Sequence, residues 1–372
     1  MSASFDVDAL LDSSAIVVCC GAGGVGKTTT AAALALRAAE RGRKVCVLTI
    51  DPARRLAQSM GLTELDNTPR AVAGLESTQG GSLDAMMLDM KRTFDEIVLT
   101  HSDPQRAEQI LANPFYVSLS SSFAGTQEYM AMEKLGQLKA TGTWDLIVVD
   151  TPPSRSALDF LDAPQRLGRF LDGRMIRLLL APAKAGGRGV MKVFTAGLSV
   201  FTNVLTRIIG AQALKDLSLF VTSLETMFGG FRERADQTYK LLKEPGTAFV
   251  VVAVPERDAL REAAYFVERL GAERMPLAGL VLNRVHTSAV DGLSVQRSLA
   301  AAEHLDESGE SPLTAATLRV HADRLAAAAR DGHMAERFTA AHPGVNVVRV
   351  RAQSTDVHDL DGLRRIGLEL AG

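Results

Sequence analysis

Residues Ala15 to Cys20 are a short apolar run that ends directly on Gly21, Ala22, Gly23, Gly24, Val25, Gly26, Lys27 and Thr28, and from Thr28 to Arg41 alanine and leucine recur at helical spacing. This order of buried strand, tight loop and helix leaves the chain few ways to fold. The loop matches G-x-x-x-x-G-K-[ST] in the strand-to-helix setting that the pattern requires. Its chemistry is that of a phosphate cradle. Glycines let backbone N–H groups converge on an anion, the helix N-terminus adds partial positive charge, Lys27 adds a full charge, and the Thr28 hydroxyl can ligate Mg²⁺. Gly21 to Thr28, together with Thr29, are therefore the expected nucleotide-binding residues.

Similar Val/Ile/Leu-rich runs without polar alternation occur at Lys44 to Ile50, Leu146 to Val149, Ala248 to Val254, Leu277 to Leu282 and Val345 to Val350. Runs of this kind belong to parallel strands covered on both faces. The segments between them are long enough for helical crossovers, so the expected fold is α/β, a doubly wound, mostly parallel sheet with its ligand at the carboxyl ends of the strands. The alternation breaks from Gln165 to Leu242, which reads as an α-helical insertion, client-binding or regulatory, in an ATPase domain made of residues 1–164 and 243–372. Within it Phe194, Leu198, Phe201, Leu205 and Ile208 share one helical face, as do Phe220, Leu224 and Phe231, either as packing surface or as a groove for an apolar helix. Glu303 to Pro312 is polar and acidic and reads as a surface loop.

Two carboxylates close apolar runs at the sheet edge where the cradle opens. Asp150 ends Leu146 to Val149, where an aspartate holds Mg²⁺ directly or through water, and Asp51 follows Lys44 to Ile50, where a carboxylate can orient or deprotonate an attacking water. Either could instead cap a helix. Lys27 and Asp51 are the expected catalytic pair, and Thr28 and Asp150 the expected metal ligands.

With 372 residues and a formal net charge of −2, the chain has no overall electrostatic bias toward nucleic acid. Its three cysteines, Cys19, Cys20 and Cys46, suit neither a disulfide framework nor a metal site. The start of the sequence has no basic and apolar signal segment, and the uncharged stretch Val193 to Thr206 is shorter than the roughly 20 residues of a membrane span. A cytoplasmic protein is expected, or one held peripherally at the inner face of the membrane.

Taken together, these residues resemble the ArsA family, which includes the arsenite-pump ATPase and the eukaryotic targeting ATPase for tail-anchored membrane proteins. The resemblance rests on GAGGVGKTT at Gly21 to Thr29, DPARRLA at Asp51 to Ala57, AGTQE at Ala124 to Glu128 and DTPPSRSALDFL at Asp150 to Leu161. VPE at Val254 to Glu256, LNRV at Leu282 to Val285 and DVHDLDGL at Asp356 to Leu363 extend it over nearly the whole length. It implies ATP and Mg²⁺ as ligands, Asp51 as a switch I aspartate, Asp150 to Pro153 as the start of switch II, and Asn283 reading the adenine edge beneath a loop after Pro255. It also implies a dimer whose ATP-driven closure binds and releases a hydrophobic protein client or membrane partner. The alternatives are a weakly catalytic regulatory subunit of a paired ATPase, and an ATPase energising anion export.

Three departures narrow this. The deviant Walker motif of the family carries a lysine that reaches across the dimer, and here that position is Ala22. The chain is thus expected either to pair with a paralogous subunit that keeps the lysine, in a bacterial ArsA-like pair, or to work as a homodimer or monomer without a trans lysine, with Arg54 or Arg55 as substitutes. There is no CxxC, so no zinc-linked dimer is expected, and the cysteines beside the loop argue against arsenite as an effector.

Overall fold

The computed structural model describes residues 5–51, 55–77, 79–114, 116–117, 120, 126–152, 233–234, 236–288, 290 and 292–372. The apolar runs form a single eight-stranded sheet. Its strands are β1 (Ile16–Gly21), β2 (Lys44–Thr49), β3 (Arg70–Ala71), β4 (Ser82–Met87), β5 (Leu146–Asp150), β6 (Thr247–Ala253), β7 (Leu277–Val285) and β8 (Val347–Arg351), in the order β3-β4-β2-β5-β1-β6-β7-β8. Every pairing is parallel except β3 with β4. This is the doubly wound α/β sheet expected from the unalternating apolar runs. The two strands not foreseen, β3 and β4, lie at one end of it. β4 escaped notice because Asp84 interrupts its apolar pattern, and that carboxylate accepts the indole N–H of Trp144 at 2.7 Å.

Backbone packing divides the chain into two compact units, one of Met1–Met87, Leu138–Leu158 and Leu241–Gly372, the other of Leu88–Gln137 and Asp159–Lys240. The first holds the whole sheet. Its core joins Val17, Val45, Val47, Val148, Val250 and Val252 of the sheet to Ala31, Leu34, Ala35 and Ala38 of helix α2 (Lys27–Glu40) and to Leu363, Ile366 and Leu370 of the C-terminal helix (Leu360–Ala371). Helix α1 (Val7–Ser13), capped by Asp6, is tied to α2 through Asp8, which accepts Arg37 at 2.6 and 2.8 Å. The second unit, as described, consists mainly of α4 (Met90–His101), α5 (Pro104–Leu111) and most of α6 (Thr126–Thr141). A short helix, α3 (Arg55–Ser59), precedes β3.

After β6 come α7 (Arg257–Ala272), then β7, then the helical pair α8 (Val295–Ser308) and α9 (Pro312–Ala341), and after β8 the C-terminal helix, α10. The expected surface loop at Glu303 to Pro312 is corrected here. Ser294 caps the start of α8, Gly309 in the left-handed region stops it, and only 309–311 turn the chain into α9. Glu303, Asp306 and Glu307 are exposed residues on a helix, where acidic side chains are well tolerated. The apolar stripes read between Phe194 and Phe231, with almost all of the expected insertion, lie outside the described residues. Among the described residues no helix is long and apolar enough to cross a membrane.

Candidate nucleotide site

The loop after β1 occupies the centre of the sheet, because β1 pairs with β5 on one side and β6 on the other. Gly21, at φ +152°, closes the strand so near its neighbour that a Cβ there would stand 2.1 Å from the Val252 carbonyl oxygen. Gly24 and Gly26 then take φ of +75° and +93°, a conformation that side chains oppose. Gly26 is also the N-cap of α2 and offers no side chain to its first-turn amides, whereas α1, α4, α5, α8 and α10 are capped by Asp6, Asp89, Asp103, Ser294 and Asp359. Uncapped amides at a glycine-lined helix start are donors shaped for an anion.

Lys27 is 6% exposed and its Nζ donates to the Ala22 carbonyl at 2.7 Å, so the lysine closes the loop on itself. Burial lowers its pKa, while the charges of Asp150 and Asp51 act in the opposite direction. On the facing strands, Asp150 is fully buried, and its Oδ2 accepts the Thr28 hydroxyl at 2.8 Å and the Thr49 hydroxyl at 2.9 Å. Its other oxygen, Oδ1, is buried with no hydrogen-bond partner. Desolvation raises the Asp150 pKa to about 6, against the two hydroxyl bonds and Lys27, which pull it down. A buried carboxylate oxygen without a donor, beside a threonine hydroxyl, is the oxygen-rich setting a Mg²⁺ ion takes.

Asp51 begins where β2 ends. Its N–H donates to the Thr49 hydroxyl oxygen at 3.2 Å, and its charge is felt by both Lys27 and Asp150, so it belongs to the same cluster. Asn283, at the carboxyl end of β7, donates its Nδ2 to the Val25 carbonyl at 2.9 Å and accepts the Arg284 N–H on Oδ1 at 2.9 Å. Pro255 follows the carboxyl end of β6 at the same sheet edge. Thr29 lies in the first turn of α2, half-buried. Arg54 and the segment from Pro153 to Leu161 lie outside the described residues, as does the AGTQE segment up to Gly125. Cys19, Cys20 and Cys46 are buried on β1 and β2 outside any disulfide, and burial pushes Cys20 up to about 12 and Cys19 well above the ordinary thiol value, which makes these two poor ligands for a soft effector.

A family model described as the anion-transporting ATPase matches residues 14–304, well over half of the chain. The chain belongs to this family of ATPases. Similar proteins include the ATPase ASNA1 homolog of Cryptosporidium parvum, 26% identical over 71% of this chain and 63% of that protein. The ATPase get3 of Schizosaccharomyces japonicus is 25% identical over 71% of this chain and 72% of its own length, and the ATPase ARSA2 of Chlamydomonas reinhardtii is 28% identical over 71% and 66%. The chain thus spans 63 to 72% of these relatives' lengths.

In this family member two polar groups of the cluster escaped the sequence reading. Thr49 is the hinge between the two aspartates, and Thr151 donates its hydroxyl to the Cys19 carbonyl at 2.8 Å, pinning the chain after β5 to β1. The available signal was a lone hydroxyl at the end of each apolar run, VLT before Ile50 and VVD before Thr151.

Proposed function

We propose that the chain binds Mg·ATP on the loop Gly21–Thr29 and hydrolyses it, and that hydrolysis drives a switch that releases a hydrophobic protein client or a membrane-associated partner. The observation that carries the reading is the joint arrangement of an uncapped α2 N-terminus, a buried Lys27, and Asp150 hydrogen-bonded to Thr28 with one oxygen left without a donor. Phosphate takes the Lys27 ammonium from the Ala22 carbonyl, and the first-turn amides of α2 receive the phosphate oxygens. Thr28 and Asp150 would hold Mg²⁺, which would supply charge neutralisation for the phosphates. Asp51 orients the attacking water and receives its proton, while the loop after Pro255 borders the base.

The client rests on the family resemblance, in which nucleotide state is read out through γ-phosphate contacts at the switch segments. Ala22 supports pairing with a paralogous subunit that keeps the lysine, because this chain has no lysine at that position to offer a partner. The same residue favours the second reading, a slow nucleotide-binding subunit that regulates its partner. ATP turnover by the purified chain, alone and mixed with a lysine-bearing paralogue, separates the readings, with Asp51→Asn as the control for chemistry. Turnover only in the mixture supports the pair. An ordinary rate from the chain alone, abolished by Asp51→Asn, removes the need for a trans lysine, and no turnover in either arm sinks hydrolysis by this subunit.

A further inference from the structure

Asn283 is separated from the phosphate loop by the greater part of the chain, yet its amide is the peg on which part of that loop hangs. Nδ2 donates to the Val25 carbonyl at 2.9 Å, and a Cβ built on Gly26 would meet that nitrogen at 2.2 Å, so the amide reaches the loop in this way only because residue 26 is glycine. The other end of the amide is engaged as well, since Oδ1 accepts the Arg284 N–H. Arg284 sits at φ +58°, in the left-handed region that a long side chain seldom enters, and the β7–β8 register shifts between Leu282 and Val285. This turn is over-determined from behind: Ala352 N–H donates to the Val285 carbonyl at 3.0 Å, and the His286 N–H donates to Asp331 at 2.8 Å. Strain of this kind persists only where the surroundings hold it, and it concentrates at functional positions.

The geometry points to Asn283 as a positioning residue for the phosphates. There are no cis peptide bonds among the described residues, so across the Val25–Gly26 peptide the C=O and N–H point in opposite directions. Holding the Val25 carbonyl against β7 therefore turns the Gly26 N–H to the opposite side, into the concave face of the loop. Asn283 aims a phosphate donor without touching phosphate, and the strained Arg284 backbone keeps Asn283 in register. The inference rests on the reading of Gly21–Thr29 as the nucleotide site. It goes beyond base recognition, because a peg on the loop matters equally to every ligand that carries the same phosphates.

The test is binding of ATP, GTP and inorganic tripolyphosphate, each with Mg²⁺, to the full chain by calorimetry, comparing the native protein with Asn283→Ala and the nearly isosteric Asn283→Leu. Loss of one aligned donor is expected to weaken all three ligands by the same factor, roughly tenfold. Hydrogen exchange should quicken in the peptide spanning Gly26 while the β7 peptides keep their protection. A loss confined to ATP would make Asn283 a base reader and overturn the proposal, as would unchanged affinity for all three, or exchange quickened throughout β7. If Asn283→Ala does not fold, Asn283→Leu decides alone, and failure of both to fold makes Asn283 a structural residue and overturns the positioning role. If the native chain binds none of the three ligands, the nucleotide site itself is refuted, an outcome distinct from the failure of the peg.

Discussion

Along β1, β2, β5 and β6 the buried side chains are almost all Val, Ile, Leu, Ala and Cys, and buried charge enters at the carboxyl edge, where Lys27 and Asp150 meet. In the unit of Leu88–Gln137 and Asp159–Lys240, polar groups are instead threaded through the packing. Tyr116 donates to Asp95 at 2.6 Å, Lys134 donates to Glu96 at 2.9 Å, and the nearly buried Glu133 accepts Arg234 at 2.9 Å and Tyr129 at 3.3 Å. Burial, reinforced by the neighbouring carboxylates, raises the pKa of both phenols. The difference teaches where each unit keeps its specificity. The sheet draws its stability from apolar area and, among the described residues of its strands, keeps buried charge at the site, while the second unit uses charge pairs to choose one packing over others.

The comparison is broken most severely at Lys27. Lys27→Ala should reduce ATP turnover by roughly 10³-fold or more while leaving the folded state intact, because the charge serves the site rather than the sheet. Steady-state phosphate release and the unfolding curve check the two halves of that statement, and a large fall in stability would mean that the buried lysine is structural. In the helical unit the expectation is reversed. Glu133→Ala removes a buried acceptor of the Arg234 guanidinium and should cost about 3 kcal/mol, read from urea unfolding followed by exchange of α6 peptides. A cost near zero would erase the contrast between the units.

Asp150→Asn sharpens the comparison through pH. The folded-state pKa of Asp150 is raised from 3.8 to about 6, so the native state holds the proton more tightly than the unfolded chain, and stability falls as pH rises through that interval. Above pH 6 the buried charge costs about 2 to 3 kcal/mol in the absence of Mg²⁺ and nucleotide. The asparagine protein should therefore have the higher thermal midpoint at pH 8, with the gap closing near pH 4, and should lose Mg²⁺-dependent turnover. A smaller effect of opposite sign is expected at Asp8, whose pKa is lowered chiefly by its hydrogen bonds from Arg37. That pairing stabilises the fold above about pH 4 and fades as pH falls through the lowered value. Asp8→Ala should cost about 0.5 to 1 kcal/mol at pH 7 and nothing measurable in strong acid, by thermal melts across the range.

How much of this was legible follows from the kind of signal each residue leaves. Six strands announced themselves as apolar runs because parallel strands are buried on both faces, and Lys27, Thr28 and Asp150 lie at fixed offsets from those runs. β4 did not, because the partner of Asp84, the Trp144 indole just before β5, meets it only in three dimensions. The end of α8 was hidden by an acidic stretch that reads as loop when composition is weighed and as helix once Ser294 and Gly309 are seen as its caps. Thr49 and the peg at Asn283 depend on which strand lies beside which, and strand order is not written in any single run.

The register of β1 has a consequence for how the chain is made. Ile16 lies opposite Ile147 on one side and Thr247 on the other, so the strand that opens the phosphate loop is synthesised long before either of its neighbours. A nascent chain paused after β5 still lacks the sequence between β5 and β6, so the loop has only one of its walls and the edge of β1 lies open to other strands. Translation therefore imposes an order on the two units: the phosphate loop cannot gain its second wall until the unit of Leu88–Gln137 and Asp159–Lys240 has been fully made.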